Sequence, residues 1–198
     1  SIAASIARLF KGGKISEHFD PKELWRHSVA VAVASRPIGQ AMGETGGMDE
    51  LFMAGLIHDL GILIERQAFP AKLGEVCDRT AAGEGNFLEL EQRVIGADHQ
   101  QFGEALTTQW KFPRHLRAVI GFHHCPDQLS PELRKLGDII HLADVLCCKE
   151  SLGFSQTARH EDLTEEMLES VGLSLEKLIE IRDRTVEELA DALNMLTG

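Results

Sequence analysis

The chain has 198 residues, of which 43% are hydrophobic and 26% are charged, so it can bury a substantial core within a single domain. Its formal net charge of -11 at pH 7 argues against binding to duplex nucleic acid or to an anionic membrane surface, because both attract clusters of lysine and arginine. No apolar stretch reaches the roughly 20 residues that a membrane span requires, and no secretory signal segment opens the chain.

The cysteines and the first residue bear on the cellular context. The four cysteines show neither CxxC spacing nor a dense framework, which favours reduced thiols in a cytoplasmic protein. Because the chain begins with Ser1 rather than Met, we expect it to be a processed or excised piece of a longer protein.

Hydrophobic periodicity, capping residues and helix breakers predict helices along the whole chain. Pro37 should end the second helix, and Asp49 and Ser174 should cap the third and the last. Strands are not expected, because only 6% of the residues are aromatic and alternating β-branched residues are scarce. We therefore predict an all-α fold, with a domain over residues 1–150 and a helical extension over 151–198 that packs on it. The predicted helices cover residues 1–11, 21–36, 49–66, 70–82, 87–110, 113–124 and 132–150, with two more within 161–196.

A histidine–aspartate pair, His58-Asp59, lies in a run that otherwise predicts the interior of a buried helix. An unpaired buried carboxylate is far more costly than a buried apolar side chain. A cation, most simply a metal ion, is therefore expected beside the pair.

Further polar residues share the apolar stripes of the predicted helices. One example is the stripe of Ile95, His99, Phe102 and Leu106 within residues 87–110. A lone histidine on such a stripe is more often a hydrogen-bonded core residue than a ligand, but five histidines with two aspartates match the ligand set of a two-metal site. The candidate metal ligands are His27, His58, Asp59, His99, His123, His124 and Asp144.

Two other residues, Glu91 and His141, are candidates for hydrogen bonding to these ligands and orienting them without contacting the metal. His141 lies one turn before Asp144, although a surface or core role suits it equally well. The remaining histidines, His18, His115 and His160, are expected to be solvated.

In their order and context, these residues resemble the HD superfamily of helical metal-dependent phosphohydrolases, and within it the HDOD branch, related to HD-GYP. The resemblance extends from about Pro21 to Lys149. It rests on the segments Leu24-Trp-Arg-His27-Ser28, Ala54-Gly-Leu-Ile-His58-Asp59-Leu-Gly61, Gly96-Ala-Asp-His99-Gln-Gln-Phe-Gly103, Trp110-Lys-Phe-Pro113, His123-His124-Cys-Pro126 and His141-Leu-Ala-Asp144.

The resemblance implies an HD-superfamily helical bundle and a division of the ligands between two ions. It puts His27, His58, Asp59 and Asp144 in the basic metal site. His99, His123 and His124 complete the site of members that bind two metals, with Asp59 bridging the ions. It also implies an N-terminal helical lobe, of which about twenty residues at most precede Pro21 in this chain.

The metal is expected to be a divalent transition ion, with one or two ions per chain. Imidazole and carboxylate ligands suit iron, manganese, zinc, nickel or cobalt. The resemblance favours iron or manganese.

The resemblance implies either a bacterial signalling module, whose partner is a signalling protein or a fused regulatory domain, or a phosphohydrolase or phosphodiesterase. In an active enzyme, Asp59 would be the catalytic residue and a phosphoester the ligand. HD-GYP phosphodiesterases carry a lysine where this chain has Ile62, and a Gly-Tyr-Pro segment where it has Cys125-Pro126-Asp127. These departures favour a signalling module with a retained metal site over an active hydrolase, and both over an inert helical scaffold.

Overall fold

Helices account for the regular structure of a computed structural model that describes residues 6–158, 161 and 163–197. No β-strand occurs among these residues, so the all-α prediction is confirmed. Of the helix predicted over residues 1–11, positions 1–5 lie outside the described residues; residues 6–7 are helical and continue into a 3-10 turn, Arg8–Phe10. The α-helices are α1 Pro21–Ala41, α2 Met48–Ile57, α3 Leu60–Ala68, α4 Pro70–Ala81, α5 Phe87–Val94, α6 His99–Gln109, α7 Arg114–Phe122, α8 Pro131–Lys149, α9 Glu165–Ser170 and α10 Leu175–Thr197.

The central helix is α1, against which α2, α8 and α10 all pack. The predicted end of this helix near Arg36 is wrong, because α1 continues through Pro37 to Ala41. A proline inside a helix costs about 3 kcal/mol. Beyond the proline, Ile38 is fully buried and Gly39 lies directly against Leu51, so the packing of this last turn offsets the cost.

The helix predicted over residues 49–66 is divided into α2 and α3 at His58 and Asp59, which corrects the prediction of one unbroken helix. Asp59 has φ −94° and ψ 15°, in a sparsely populated region of backbone space where functional residues often lie. The N-terminal cap of α2 is Gly47, at φ 68°, rather than Asp49. The break places the histidine–aspartate pair at a corner between two helices.

A second break divides the helix predicted over residues 87–110. Gly96 has φ 102°, which L-residues rarely adopt, and the Asp98 side chain then caps α6. His99 is thus the first residue of a new helix, and the predicted stripe through Phe102 and Leu106 is wrong because the face of α6 has rotated. The buried residues of α6 are His99, Gln100, Gly103 and Thr107.

Helices α3 and α6 cross closely at two glycines. A Cβ atom on Gly61 would collide with the His99 carbonyl oxygen, and one on Gly103 would lie 3.5 Å from the Gly61 backbone nitrogen. This crossing brings the start of α6 next to the corner that carries Asp59.

The C-terminal helix α10 lies along α1 and shares the core of the bundle. Its N-terminus is capped as predicted, because Ser174 Oγ accepts a hydrogen bond from the Lys177 backbone N–H at 3.1 Å. The buried residues Leu178, Ile181 and Leu189 face the core. The division at residue 150 stays a prediction. Among the described residues, no helix has both the length and the apolar composition to cross a membrane.

Candidate metal centre

All seven predicted ligands converge at the centre of the bundle. His27 comes from α1 and Asp144 from α8, and the other five lie at or beside helix ends. Six of the seven side chains are 0% exposed, and that of His124 is 4% exposed. The cluster is therefore sealed from bulk water, apart from an edge at His124.

Asp59 occupies the middle of the cluster, and its two carboxylate oxygens face different histidines. Oδ2 lies 3.3 Å from His58 Nε2 and 3.7 Å from His27 Nε2. Oδ1 lies 3.4 Å from His99 Nε2 and 3.6 Å from His123 Nε2. One carboxylate thus joins two groups of imidazoles.

The first group is completed by Asp144. Its Oδ1 atom lies 3.0 Å from His27 Nε2 and 3.7 Å from His58 Nε2. The Cys148 thiol also donates a hydrogen bond to this oxygen at 3.4 Å. Burial, together with the Asp144 carboxylate, raises the pKa of Cys148 well above its usual range, so the thiol keeps the proton that it donates. His27, His58 and Asp59 offer ligand atoms within 4.8 Å of one another, and Asp144 forms overlapping sets of the same kind with His58 and His123 and with His27 and Cys148.

The second group contains three imidazoles whose Nε2 atoms face one another. His99 Nε2 lies 3.3 Å from His123 Nε2 and 3.1 Å from His124 Nε2. Two unprotonated nitrogens at such distances repel each other unless a proton or a metal ion lies between them. With Asp59 Oδ1, these three nitrogens form a set of four ligand atoms within 4.8 Å of one another.

Backbone carbonyls fix the tautomers of two ligands. His58 Nδ1 donates to Gly55 O at 2.7 Å, and His123 Nδ1 donates to Ile120 O at 2.9 Å. Because a carbonyl oxygen only accepts, Nδ1 carries a proton in both rings, so Nε2 is the atom of each ring that can offer a lone pair to the centre. His27 Nδ1 has no such partner among the described residues.

Two buried glutamates lie behind His99. Both oxygens of Glu91 are 2.9 Å from His99 Nδ1, which is the supporting contact expected of Glu91. Burial, together with the Glu91 charge, raises the pKa of the neighbouring Glu65 to about 10, and burial likewise raises the pKa of Glu91. The pair therefore retains at least one proton at neutral pH. Sequence reasoning missed Glu65, although its spacing from Gly61 and Ile62 on the buried face of α3 was a usable signal.

A second pair supports the exposed edge of the cluster. His141 Nδ1 donates to His123 O at 2.8 Å, and His141 Nε2 lies 3.1 Å from Glu161 Oε2. The other Glu161 oxygen lies 3.3 Å from His124 Nδ1. Partial burial would raise the pKa of Glu161, but the hydrogen bonds from the two histidines lower it to about 2. Glu161 was missed because it lies outside any helix, where periodicity gives no signal.

Several buried polar atoms of the centre lack hydrogen-bond partners from the described part of the protein. Hydrogen-bond partners within the described residues are lacking for His58 Nε2, both Asp59 oxygens and Asp144 Oδ2, although all four atoms are buried. Burial would raise the pKa of Asp59 and of Asp144, yet neighbouring histidines hold both well below their usual range. Burial, together with the charge on His124, lowers the pKa of His123 to about 3, so this ring is neutral. Burial would lower the pKa of His58, but the Asp59 and Asp144 carboxylates raise it well above its usual range, so a cation balances these buried carboxylates. A divalent transition metal ion can take the place of the His58 proton in that role.

The histidines expected to be solvated do not join the centre. His18 Nδ1 lies 2.9 Å from Asp78 Oδ1 at the surface, and His115 Nε2 lies 3.9 Å from Glu50 Oε2. His160 lies outside the described residues. Ile62, which stands where HD-GYP proteins carry lysine, is fully buried in the core.

Comparisons with known proteins agree with this architecture. A structure described as an HDOD domain protein of unknown function from Geobacter sulfurreducens superimposes with a TM-score of 0.80 at 23% identity, over 98% of this chain and 68% of that one. A candidate signal transduction protein from Marinobacter aquaeolei VT8 gives a TM-score of 0.80 at 19% identity, over 98% of this chain and 43% of that one. A candidate metal-dependent phosphohydrolase from Shewanella amazonensis SB2B gives 0.64 at 20% identity, over 96% of this chain and 65% of that one. At these identities the likeness shows the fold.

Sequence comparison identifies the family. An uncharacterised protein of Treponema pallidum (strain Nichols) is 24% identical over 114 residues, which make up 56% of this chain and only 22% of that protein. The family model of the HDOD domain matches residues 1–126, which include every candidate ligand except Asp144. The chain therefore belongs to the HDOD domain family.

Proposed function

We propose that this HDOD domain is a bacterial signal-transduction module that retains a two-metal centre. The position of Asp59 carries the proposal, because one buried carboxylate presents one oxygen to each of two histidine groups. In this arrangement His27, His58, Asp59 and Asp144 hold the first ion. Asp59, His99, His123 and His124 hold the second.

Iron or manganese is the proposed metal, because mixed imidazole and carboxylate ligands suit these ions, whereas a sulfur-rich structural zinc site requires several thiolate ligands. Zinc, nickel and cobalt share this ligand preference, so elemental analysis decides between them. The proposed location is the reducing cytoplasm, where the four free cysteines remain thiols.

The signalling role is favoured over catalysis by the sealed geometry of the centre. The side chains of six ligands are 0% exposed, and apolar Ile62 takes the position of the lysine in HD-GYP enzymes. Signal transduction also stands in the description of the Marinobacter neighbour. The proposed partner is a signalling protein or a regulatory domain of the same polypeptide.

The alternative function is a metal-dependent phosphohydrolase or phosphodiesterase acting on a nucleotide or other phosphoester. Metal ions at such a site supply charge neutralisation of a phosphate and a lowered pKa for bound water. The Shewanella neighbour, described as metal-dependent, favours this alternative. Asp59 would then be the catalytic residue.

Elemental analysis of protein purified without chelator tests the metal centre. We expect at least about one transition metal ion per chain, and we expect Asp59→Ala and His58→Ala to lose it, because they remove ligands. His18→Ala is the matched control, since His18 pairs with Asp78 at the surface. Metal content that is negligible in the wild type, or unchanged in Asp59→Ala, contradicts the proposal.

Turnover assays separate the two functions. The protein, loaded with manganese or iron, is incubated with phosphomonoesters, nucleotides and cyclic dinucleotides. Hydrolysis that disappears in Asp59→Ala selects the phosphohydrolase. An inactive but metal-loaded protein selects the signalling module.

A further inference from the structure

Glu161 is the only supporting carboxylate described above that comes from beyond residue 150. Glu91, which supports His99, lies on α5, and the carbonyls that support His58 and His123 belong to Gly55 and Ile120. Glu161 belongs to the C-terminal extension, yet it contacts His124 Nδ1 and His141 Nε2 at 3.3 and 3.1 Å. The extension thus reaches the edge of the cluster.

The contacts of Glu161 fall on one side of the centre. His124 belongs to the second histidine group, and His141 donates to the backbone oxygen of His123, which belongs to the same group. Among the described residues, Glu161 does not contact His27 or His58. Asp144 Oδ2 of the first group lies 3.8 Å from His124 Nδ1, farther than Glu161 Oε1 at 3.3 Å. Loss of the Glu161 carboxylate should therefore disturb the second ion selectively.

The chemistry of His124 gives Glu161 a defined task. When a histidine binds a metal through Nε2, its Nδ1 carries a proton and needs an acceptor, which fixes the ring orientation and increases its basicity. Glu161 is such an acceptor, and its side chain, at 20% exposed, is largely shielded from water. Its position matches that of Glu91 behind His99.

We propose that Glu161 is a positioning residue that makes binding of the second metal ion depend on docking of the C-terminal extension. This inference rests on the proposed two-metal centre. By thermodynamic reciprocity, binding of the second ion stabilises the docked extension by the same factor. Glu161 lines a cavity of about 240 Å³ together with Met167 and Ser170 of α9 and the following Val171, so α9 lies next to the docked carboxylate. In this proposal the state of the metal centre changes the stability of α9.

Manganese titration of the full chain tests the inference. The wild type should bind two ions, and Glu161→Gln and Glu161→Ala should keep the first ion while the affinity for the second falls about 10- to 100-fold. Glu169→Gln, which changes an exposed glutamate of α9, is the matched control and should bind as the wild type does. The first ion serves as an internal measure of folding.

A second measurement follows the extension. In the wild type, amide exchange within α9 should slow on addition of the second equivalent of manganese, and in Glu161→Gln this slowing should be absent. If Glu161→Gln binds both ions with wild-type affinity, or loses affinity for both ions to the same extent, the inference is overturned while the proposed metal centre stands. A wild type that binds fewer than two ions refutes the two-metal centre itself.

Discussion

Replacement of Glu65 by glutamine should stabilise the protein, even though it alters a fully buried residue. Burial and the nearby Glu91 raise the pKa of Glu65 to about 10, from an ordinary value of 4.5. At neutral pH the unfolded chain has released this proton and the native chain retains it. The native state therefore loses stability from this residue as the pH rises from about 4.5 towards 10.

The size of the effect follows from the pKa difference. Each pH unit between the two pKa values costs about 1.4 kcal/mol, so at pH 7 the cost is about 3 kcal/mol. Glutamine has no ionisable proton, and neither Glu65 carboxylate oxygen has a hydrogen-bond partner among the described residues that the change would remove. The buried amide of glutamine costs about 1 kcal/mol if it stays unpaired. We expect Glu65→Gln to raise the free energy of unfolding by about 2 kcal/mol at pH 7.

Urea denaturation of metal-free protein, followed by circular dichroism at about pH 5, 6.5 and 8, measures this directly. The gap between Glu65→Gln and the wild type should widen by up to about 1.4 kcal/mol per pH unit. Glu89→Gln makes the same chemical change at an exposed position of α5 and should give curves parallel to the wild type. A gap for Glu65→Gln that is constant with pH would refute the reasoning, because it would mean that Glu65 is ionised in the native state.

Three further predictions concern packing, ligand support and thiol reactivity. Gly61→Ala should destabilise the protein by about 3 kcal/mol in urea denaturation, because its Cβ collides with backbone of α6, whereas Gly74→Ala, with its nearest neighbours at 3.6 Å, should stabilise by roughly 0.5 to 1 kcal/mol. Glu91→Gln should lower the affinity for the second ion about 10- to 100-fold in competition with a chelating dye, and unchanged affinity would remove Glu91 from the centre. A disulfide reagent should modify the partly exposed Cys125 quickly and the three buried cysteines only on unfolding; fast reaction of a second thiol would contradict the buried core.

Several candidate ligands were predictable from the sequence because they lie on apolar stripes, where a polar side chain needs a reason to be buried. His27 and Asp144 illustrate this, since both lie in the middle of long helices. The family resemblance then supplied the grouping of the ligands.

The breaks in the helices were not predictable with the same rules. Periodicity continues across His58 and Asp59, so nothing local reports that the chain turns there. Glycine is unfavourable inside a helix, so Gly96 is a weak point in the helix predicted over residues 87–110, but only its φ of 102° shows that the helix face changes after it. At Pro37 the error is the reverse: the sequence predicts a helix end, but the helix continues because tertiary packing outweighs the local effect of proline. Glu161 depends on a contact 37 residues away from His124, which no local pattern encodes.

The unequal placement of the ligands gives the two proposed ions different mechanical supports. Two of the four residues proposed for the first ion, His27 and Asp144, are anchored within the long helices α1 and α8, while His58 and Asp59 lie at a helix corner. The second ion is held by Asp59, His99, His123 and His124, which all lie at or beside helix ends, where the backbone moves more easily. We therefore expect the first ion to enter a nearly preformed cage, and the second to draw the ends of three helices together as it binds.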